Sequence, residues 1–155
     1  GKFEFTYGTI VIRAKVPVGV GTWPAVWMLG ANIGTVGWPA CGEIDILESV
    51  GKNLDQNHSS LHSPGRSGAT PDTGIIKVPN SSTEFHIYKA NWSASEIKFY
   101  VDDVLFYTFQ NSDKFPFNKN FYLIVNLAMG GVWGGDVDPN FTSSTFEIDY
   151  IRVYN

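Results

Sequence analysis

The chain has 155 residues, of which 43% are hydrophobic and 17% are charged, and its formal net charge at pH 7 is −4. This length suits one hydrophobic core, and the composition excludes a disordered chain. Because no cluster of basic residues occurs, nucleic acid and anionic membranes are excluded as main partners, and we expect a neutral one. With one cysteine, the chain alone builds neither a disulfide nor a paired-cysteine metal site.

Alternation of apolar and polar residues predicts β-strands along most of the chain. The large apolar residues have odd numbers in 3–7 and even numbers in 10–16, so the buried face is expected to switch near Gly8, where glycine permits a bulge. Asp102 and Asp103 predict a hairpin turn. The remaining predicted strands are 22–29, 43–49, 58–62, 84–92, 96–101, 104–109, 121–128 and 145–154.

Two segments, 63–82 and 129–144, are rich in Gly, Pro, Ser, Asn and Asp, and we expect them to be loops. About nine strands joined by such loops indicate an all-β fold of two packed antiparallel sheets. We expect residues 1–155 to form a single domain. The start of the chain lacks a signal-peptide pattern and there is no run of about 18 apolar residues, so we expect a processed or truncated chain without a membrane span.

The predicted strand 43–49 carries three carboxylates. Because side chains alternate between the two faces of a strand, Glu43 and Asp45 share one face, while Glu48 would point with Ile44 to the other. We expect that other face to be core, where an unpaired carboxylate is costly. The sequence therefore predicts a β-bulge between Asp45 and Glu48 that returns Glu48 to the acidic face.

Three carboxylates on one face suit acid–base chemistry at a glycosidic bond. With the bulge, the Cα atoms of Glu43 and Glu48 are about 13 Å apart, and side chains leaning together approach the roughly 5–5.5 Å between the carboxyls of a retaining glycosidase. Mutual repulsion separates the pKa values, which leaves a protonated acid beside an ionised nucleophile. The alternative is a strand with solvated acids, the commoner meaning of such a spacing taken alone.

Tryptophans close to this strand favour a saccharide cleft. Trp23 and Trp27 have the same parity and so can face one way, and Trp38 precedes Glu43 by five residues. Sugar rings stack their C–H faces on flat indoles while polar neighbours bind their hydroxyls. Core packing explains Trp23 or Trp27 equally well when each is considered singly.

Short motifs follow one another in a fixed order along nearly the whole chain. They are Tyr7-Gly8, Arg13-Ala14-Lys15, Trp23-Pro24-Ala25-Val26-Trp27-Met28-Leu29, Gly42 to Glu48, Phe85-His86, Asn91-Trp92, Tyr100-Val101-Asp102-Asp103, Asn126-Leu127-Ala128-Met129-Gly130-Gly131 and Asp149-Tyr150-Ile151-Arg152-Val153-Tyr154. Together they resemble glycoside hydrolase family 16, and within it the bacterial endo-β-1,3-glucanases called laminarinases.

The resemblance implies a jelly-roll β-sandwich of two curved antiparallel sheets, with the acidic strand in a concave substrate cleft. It implies Glu43 as nucleophile, Asp45 as its assistant and Glu48 as general acid/base. Family domains usually carry a further segment before the residue that matches Gly1, so we expect a domain that is N-terminally incomplete relative to the family. No cofactor is expected for catalysis, but the resemblance implies a structural calcium ion on the convex face, with Asp149 as a ligand.

Two histidines are further candidates. His62 matches a family histidine, and we expect it to hydrogen-bond a sugar or Glu48. His58 has the same parity as His62, but a third metal ligand is not evident, so a structural histidine is the better prediction.

Three other side chains are candidates for substrate binding. Trp133 lies in a glycine-rich segment, where an exposed aromatic ring without a function is a liability, so we expect a sugar platform. Asn126 either bonds a ring hydroxyl or packs. Arg13, on the polar parity of its strand, either enters the cleft or is solvated.

Three function classes remain open. The first is a retaining endo-β-1,3-glucanase that acts as a monomer, secreted or at the cell surface, on a neutral polysaccharide. The second is the same fold acting on agar, a carrageenan or a mixed-linkage β-glucan, and the third is a non-catalytic glucan-binding module. The presence of Glu43 and Glu48 disfavours the third class, and the scarcity of cations disfavours sulfated galactans.

Overall fold

The computed structural model describes residues 2–155, and these form ten β-strands, two short α-helices and one 3₁₀ turn. No helix among them has the length and apolar character needed to cross a membrane. The elements in chain order are β1 (Gly8–Lys15), β2 (Thr22–Gly30), α1 (Ile33–Val36), β3 (Glu43–Glu48), the 3₁₀ turn (Gly51–Asn53), β4 (Gln56–His62), β5 (Asp72–Lys77), β6 (His86–Trp92), β7 (Glu96–Val101), β8 (Val104–Gln110), β9 (Phe121–Met129), α2 (Gly131–Gly134) and β10 (Glu147–Tyr154).

These strands build two five-stranded antiparallel sheets, as the sequence predicted. One has the order β5-β4-β3-β2-β9 and carries the three carboxylates, so we call it the acidic sheet; the second sheet has the order β10-β1-β6-β7-β8. Alternate side chains of both sheets meet in one core that excludes water. Fully buried examples are Ile12, Met28, Ile44 and Phe99.

Backbone angles agree with the sequence prediction at two places, the change of buried parity before β1 and the hairpin between β7 and β8. Tyr7 and Gly8 both have left-handed backbone angles, with φ of 66° and 122°, where the buried parity changes before β1. A Cβ atom on Gly8 would lie 2.5 Å from the carbonyl oxygen of Tyr154, so glycine is required there. Asp102 and Asp103 also have positive φ, which matches the right-handed twist of the hairpin between β7 and β8.

The structure differs from the prediction in the two expected loops and in the residues before β1. β5 lies inside the segment 63–82, and α2 lies inside 129–144, so neither segment is wholly loop. β5 is an edge strand whose side chains are half-buried or exposed, so it lacks the apolar alternation that identifies a strand. Among the described residues before β1, pairing is limited to a bridge between Phe5 and Phe121.

One end of the sandwich leaves apolar side chains exposed. β5 packs against β8, so the edge strands β9 and β10 lie at the opposite end. Leu123 of β9 packs on the core, but Val125, Leu127 and Met129, on the same face of the strand, are 45%, 36% and 42% exposed. The space between the two sheets is therefore open at this end.

Candidate active site

A β-bulge in β3 brings the three carboxylates to one side of the acidic sheet. Asp45 pairs with Ser60 of β4, whereas Glu48, three residues later, pairs with His58, only two residues earlier. The register of β3 against β2 shifts in the same region. One extra residue is thus absorbed between Asp45 and Glu48, and the predicted bulge is confirmed.

Glu43 and Glu48 line one cavity of about 650 Å³. His58 and His62 of β4 form part of its wall, and indole rings close it on the side of Glu48. Asp45 does not line the cavity and is only 3% exposed. The bulge therefore produces a pocket with two accessible carboxyls and a third that is buried.

Each glutamate of the pocket accepts a hydrogen bond from an indole. Trp23 Nε1 donates to Glu48 Oε1 over 2.8 Å, and Trp38 Nε1 donates to Glu43 Oε2 over 2.8 Å. These bonds fix the rotamers of the two carboxyls and leave the other oxygen of each free of the indole. Sequence reasoning noted Trp38 but did not include it in the site, and its position five residues before Glu43 was the available signal.

His62 lies beside Glu43 and Asp45 and not Glu48, so of its two expected partners Glu48 is wrong and a sugar stays a prediction. Its Nε2 is 3.5 Å from Glu43 Oε1 and 3.2 Å from Asp45 Oδ2. The reason is register, because His62 pairs directly with Glu43 across β3 and β4. The backbone N–H of Gly68 donates to His62 Nδ1, so the ring proton resides on Nε2 and faces the two carboxylates.

Burial raises the pKa of both glutamates of the pocket. Burial, with the charge of Asp45, raises the pKa of Glu43 to about 7 and that of Glu48 to about 8. Burial also raises the pKa of Asp45. Burial lowers the pKa of His62, but the close contact with Asp45 and the nearby carboxylate charges raise it by more. Both glutamates therefore retain a proton to a higher pH than an exposed carboxyl does.

The donor set of this pocket does not suit a metal ion. Glu43, Asp45 and His62 offer ligand atoms within 4.8 Å of one another. A metal-bound imidazole, however, normally donates its second ring nitrogen to an acceptor. Here His62 Nδ1 accepts from Gly68, which leaves Nε2 protonated and unable to ligate. His62 instead places its Nε2 beside two acids, 3.5 Å from Glu43 Oε1 and 3.2 Å from Asp45 Oδ2.

Arg13 does not enter the cleft, so its assignment to substrate binding is wrong. β1 belongs to the second sheet, and Arg13 Nη1 lies 2.7 Å from Asp149 Oδ2 on the outer face of that sheet. The parity of a strand fixes which side chains point together but not which sheet the strand joins. The Asp149 carboxylate is paired with this guanidinium, and a structural calcium ion at Asp149 stays a prediction.

The remaining predicted residues lie on the acidic sheet or next to it. Trp133 is half-buried in α2, with its ring centroid 5.3 Å from that of Trp23 and 5.0 Å from that of His58, both edge to face. Trp27 Nε1 donates to Asn126 Oδ1 over 2.8 Å, so these two side chains hold each other. Contact of Trp23, Trp27, Trp133 and Asn126 with substrate stays a prediction.

Comparison with known proteins identifies the family. The family model described as glycosyl hydrolases family 16 matches residues 1–152. The chain is 43% identical to a beta-glucanase of Rhodothermus marinus, over 99% of this chain and 59% of the relative. It is 34% identical to a keratan-sulfate endo-1,4-beta-galactosidase of Sphingobacterium multivorum, over 99% of this chain and 38% of that protein.

Solved structures agree with this match and confirm the predicted jelly-roll fold. The laminarinase of Flavobacterium sp. UMI-01 superposes with a TM-score of 0.96 at 48% identity, over all of this chain and 70% of that one. The chain thus spans a little over half of the curated beta-glucanase and about two thirds of the laminarinase structure. On its sequence and its fold, the chain belongs to glycosyl hydrolase family 16.

Proposed function

We propose that this chain provides the catalytic site of a retaining endo-β-1,3-glucanase, with Glu43 as nucleophile and Glu48 as general acid/base. The observation that carries the proposal is the pair of glutamates facing one cavity, each held by an indole N–H. His62 Nε2 lies 3.5 Å from Glu43 Oε1, which favours the ionised form of Glu43 and supports its role as nucleophile.

In the proposed first step, the carboxylate of Glu43 attacks the anomeric carbon while the carboxyl proton of Glu48 passes to the departing glycosidic oxygen. The glycosyl group is then covalently attached to Glu43, and Glu48 is ionised. In the second step Glu48 accepts a proton from water, which attacks the same carbon and releases Glu43. His62 Nε2–H faces Glu43 and Asp45, where it favours the ionised form of the nucleophile.

The cavity supports a neutral glucan as substrate. The side chains that line it in the described structure include no lysine or arginine, so a sulfated chain would meet carboxylates without a counter-charge. Trp23 and Trp133 present indole surface next to Glu48, which suits the stacking of a sugar ring. The names of the beta-glucanase and the laminarinase support a glucan, whereas the name of the keratan-sulfate endo-1,4-beta-galactosidase supports the sulfated alternative.

We also propose that the domain acts outside the cell as a monomer and needs no cofactor for catalysis. A polymeric glucan is too large to enter a cell intact, which supports an extracellular site of action. All groups assigned to the two steps belong to one chain, which supports a monomer.

The test compares release of reducing sugar from laminarin, lichenan, agarose, carrageenan and keratan sulfate. We expect laminarin to be cleaved fastest and the first products, followed by proton NMR, to have the β configuration. Faster cleavage of a sulfated galactan would overturn the substrate assignment. Early accumulation of the α-anomer would overturn the nucleophile assignment, because direct attack by water inverts the anomeric centre.

A further inference from the structure

The bulge in β3 removes backbone hydrogen bonds at a buried place. Ile46 and Leu47 have no paired residue in β4, although β3 and β4 pair on both sides of them. A bulge leaves its extra residue outside the ladder, and a buried backbone group without a partner is costly. The carbonyl of Ile46 and the N–H of Glu48 therefore need partners other than backbone.

Two polar side chains of β4 supply these partners. Asn57 Oδ1 accepts from the N–H of Glu48 over 3.2 Å, and Asn57 Nδ2 donates to the carbonyl oxygen of Ile46 over 3.3 Å. Ser59 Oγ donates to the same carbonyl over 2.7 Å and accepts from Asn57 Nδ2 over 3.3 Å. Together, Asn57 and Ser59 replace the missing ladder bonds.

The position of these two residues within β4 is unusual. His58, Ser60 and His62 point to the pocket, so Asn57, Ser59 and Leu61 point to the core. Asn57 is 2% exposed and Ser59 is fully buried, at positions where a strand normally carries apolar side chains. Their polar groups are satisfied by the bulge, which explains their presence there.

We propose that Asn57, supported by Ser59, is a positioning residue for the general acid/base of this chain. The inference rests on the proposed role of Glu48. Asn57 bonds the backbone of Glu48 itself, so it fixes the direction in which the Glu48 carboxyl leaves the strand toward Trp23. Displacement of a reacting group by about 1 Å can reduce a rate by about a hundredfold.

The experiment uses two substrates that differ in their need for an acid. The value of kcat/KM reports the first step, in which a sugar leaving group requires the Glu48 proton and a dinitrophenolate does not. We compare a laminari-oligosaccharide with the dinitrophenyl β-glycoside of the same oligosaccharide. Asn57→Leu, which keeps the branching of the side chain without the amide, should lower kcat/KM for the oligosaccharide at least about tenfold and for the dinitrophenyl glycoside less than about threefold.

A matched control separates positioning from stability. Asn111 is also a buried amide, 7% exposed, and its Nδ2 donates to the carbonyls of Ser93 and Phe117 near the second sheet. Asn111→Leu should lower the two kcat/KM values by the same factor, because it reduces only the folded fraction. An equal loss on both substrates in Asn57→Leu would overturn the inference.

Two further variants complete the test. Glu48→Gln removes the acid itself, so it should lower kcat/KM for the oligosaccharide more than Asn57→Leu does, with little effect on kcat/KM for the dinitrophenyl glycoside. If it does not, the proposed role of Glu48 is wrong. If Glu48→Gln is selective and Asn57→Leu is not, the role of Asn57 alone is wrong. Ser59→Ala, which removes one donor to Ile46, should show a smaller selective loss, and it decides the question if Asn57→Leu does not fold.

Discussion

The indole of Trp38 donates a hydrogen bond that lowers the pKa of Glu43 against the opposite effect of burial. Trp38→Phe keeps the ring and removes the donor, so the pKa of Glu43 should rise above its present value of about 7. Because the nucleophile must be ionised, the acid limb of kcat/KM for laminarin should move to higher pH. Trp27→Phe, which removes the bond to Asn126 instead, should leave that limb in place.

Glu48 should make the folded protein less stable as the pH rises. Its pKa is raised from an ordinary 4.5 to about 8, so its stabilising protonation is complete below pH 4.5 and is lost through pH 8. Glu48→Gln removes this loss, and at pH 8.5 it should raise the free energy of unfolding by about 2–4 kcal/mol.

Urea unfolding at several pH values measures the difference between Glu48→Gln and the unaltered protein. The advantage of the variant should shrink toward pH 5, whereas exposed Glu84, replaced by Gln, should give a curve parallel to that of the unaltered protein. A constant difference across the pH range would contradict the assigned protonation.

The two glutamates should also respond differently to azide. Glu48→Ala should still form the glycosyl-enzyme from a dinitrophenyl glycoside, stall before hydrolysis, and regain turnover with azide as a β-glycosyl azide. Glu43→Ala has no nucleophile, so any azide product should be the α-anomer. NMR of the azide products distinguishes the two results, and the reversed pattern would exchange the two roles.

Residue-level prediction succeeded where a buried charge limited the alternatives. Glu48 had to return to the acidic face because the core face excludes an unpaired carboxylate, so the bulge followed from the sequence. The positions of the His62 and Arg13 side chains depend on which strands are neighbours in the sheets. Alternation within one strand does not contain that information. The structure placed His62 opposite Glu43 and Arg13 on the other sheet.

At the level of elements, β5 shows how an edge strand escapes sequence prediction. Gly74 has no side chain and so gives no apolar signal. A Cβ atom there would lie 2.3 Å from Tyr107 Cβ of β8, so β5 packs by the close approach of its backbone to β8. Gly74→Ala should destabilise the protein by about 1–3 kcal/mol, because the two sheets would have to separate locally. Urea unfolding checks this against Gly34→Ala, whose Cβ would have nothing within 4 Å.

The strands with strong alternation were predicted to within a few residues, because each buries one face in the core. β7 and β8, joined by Asp102 and Asp103, are the clearest case, since the turn residues and the apolar periods agree. α2 was missed because four residues carry too little periodicity to identify a helix. The elements that could be predicted from the sequence are therefore those in which turn residues and apolar periodicity indicate the same structure.

At the scale of the whole molecule, the open end beside β9 should set the concentration above which the proposed monomer associates. Val125, Leu127 and Met129 form a row of exposed apolar side chains on an edge strand, which favours self-association. Replacing them with Thr, Gln and Gln should reduce the binding of an apolar dye and the concentration-dependent association of the 155-residue chain. Sedimentation velocity checks this, and exposed Ile75→Thr at the opposite edge should change it little.

The single thiol of the chain lies close behind the proposed nucleophile. Cys41 is fully buried two residues before Glu43, and its carbonyl oxygen lies so near Gly30 that a Cβ atom there would be 2.0 Å away. A thiol reagent therefore reacts only when this part of the protein opens. The reaction rate of Cys41 consequently measures how often the turn that leads into β3 opens, and comparison with the global unfolding rate shows whether that turn opens alone or with the whole sandwich.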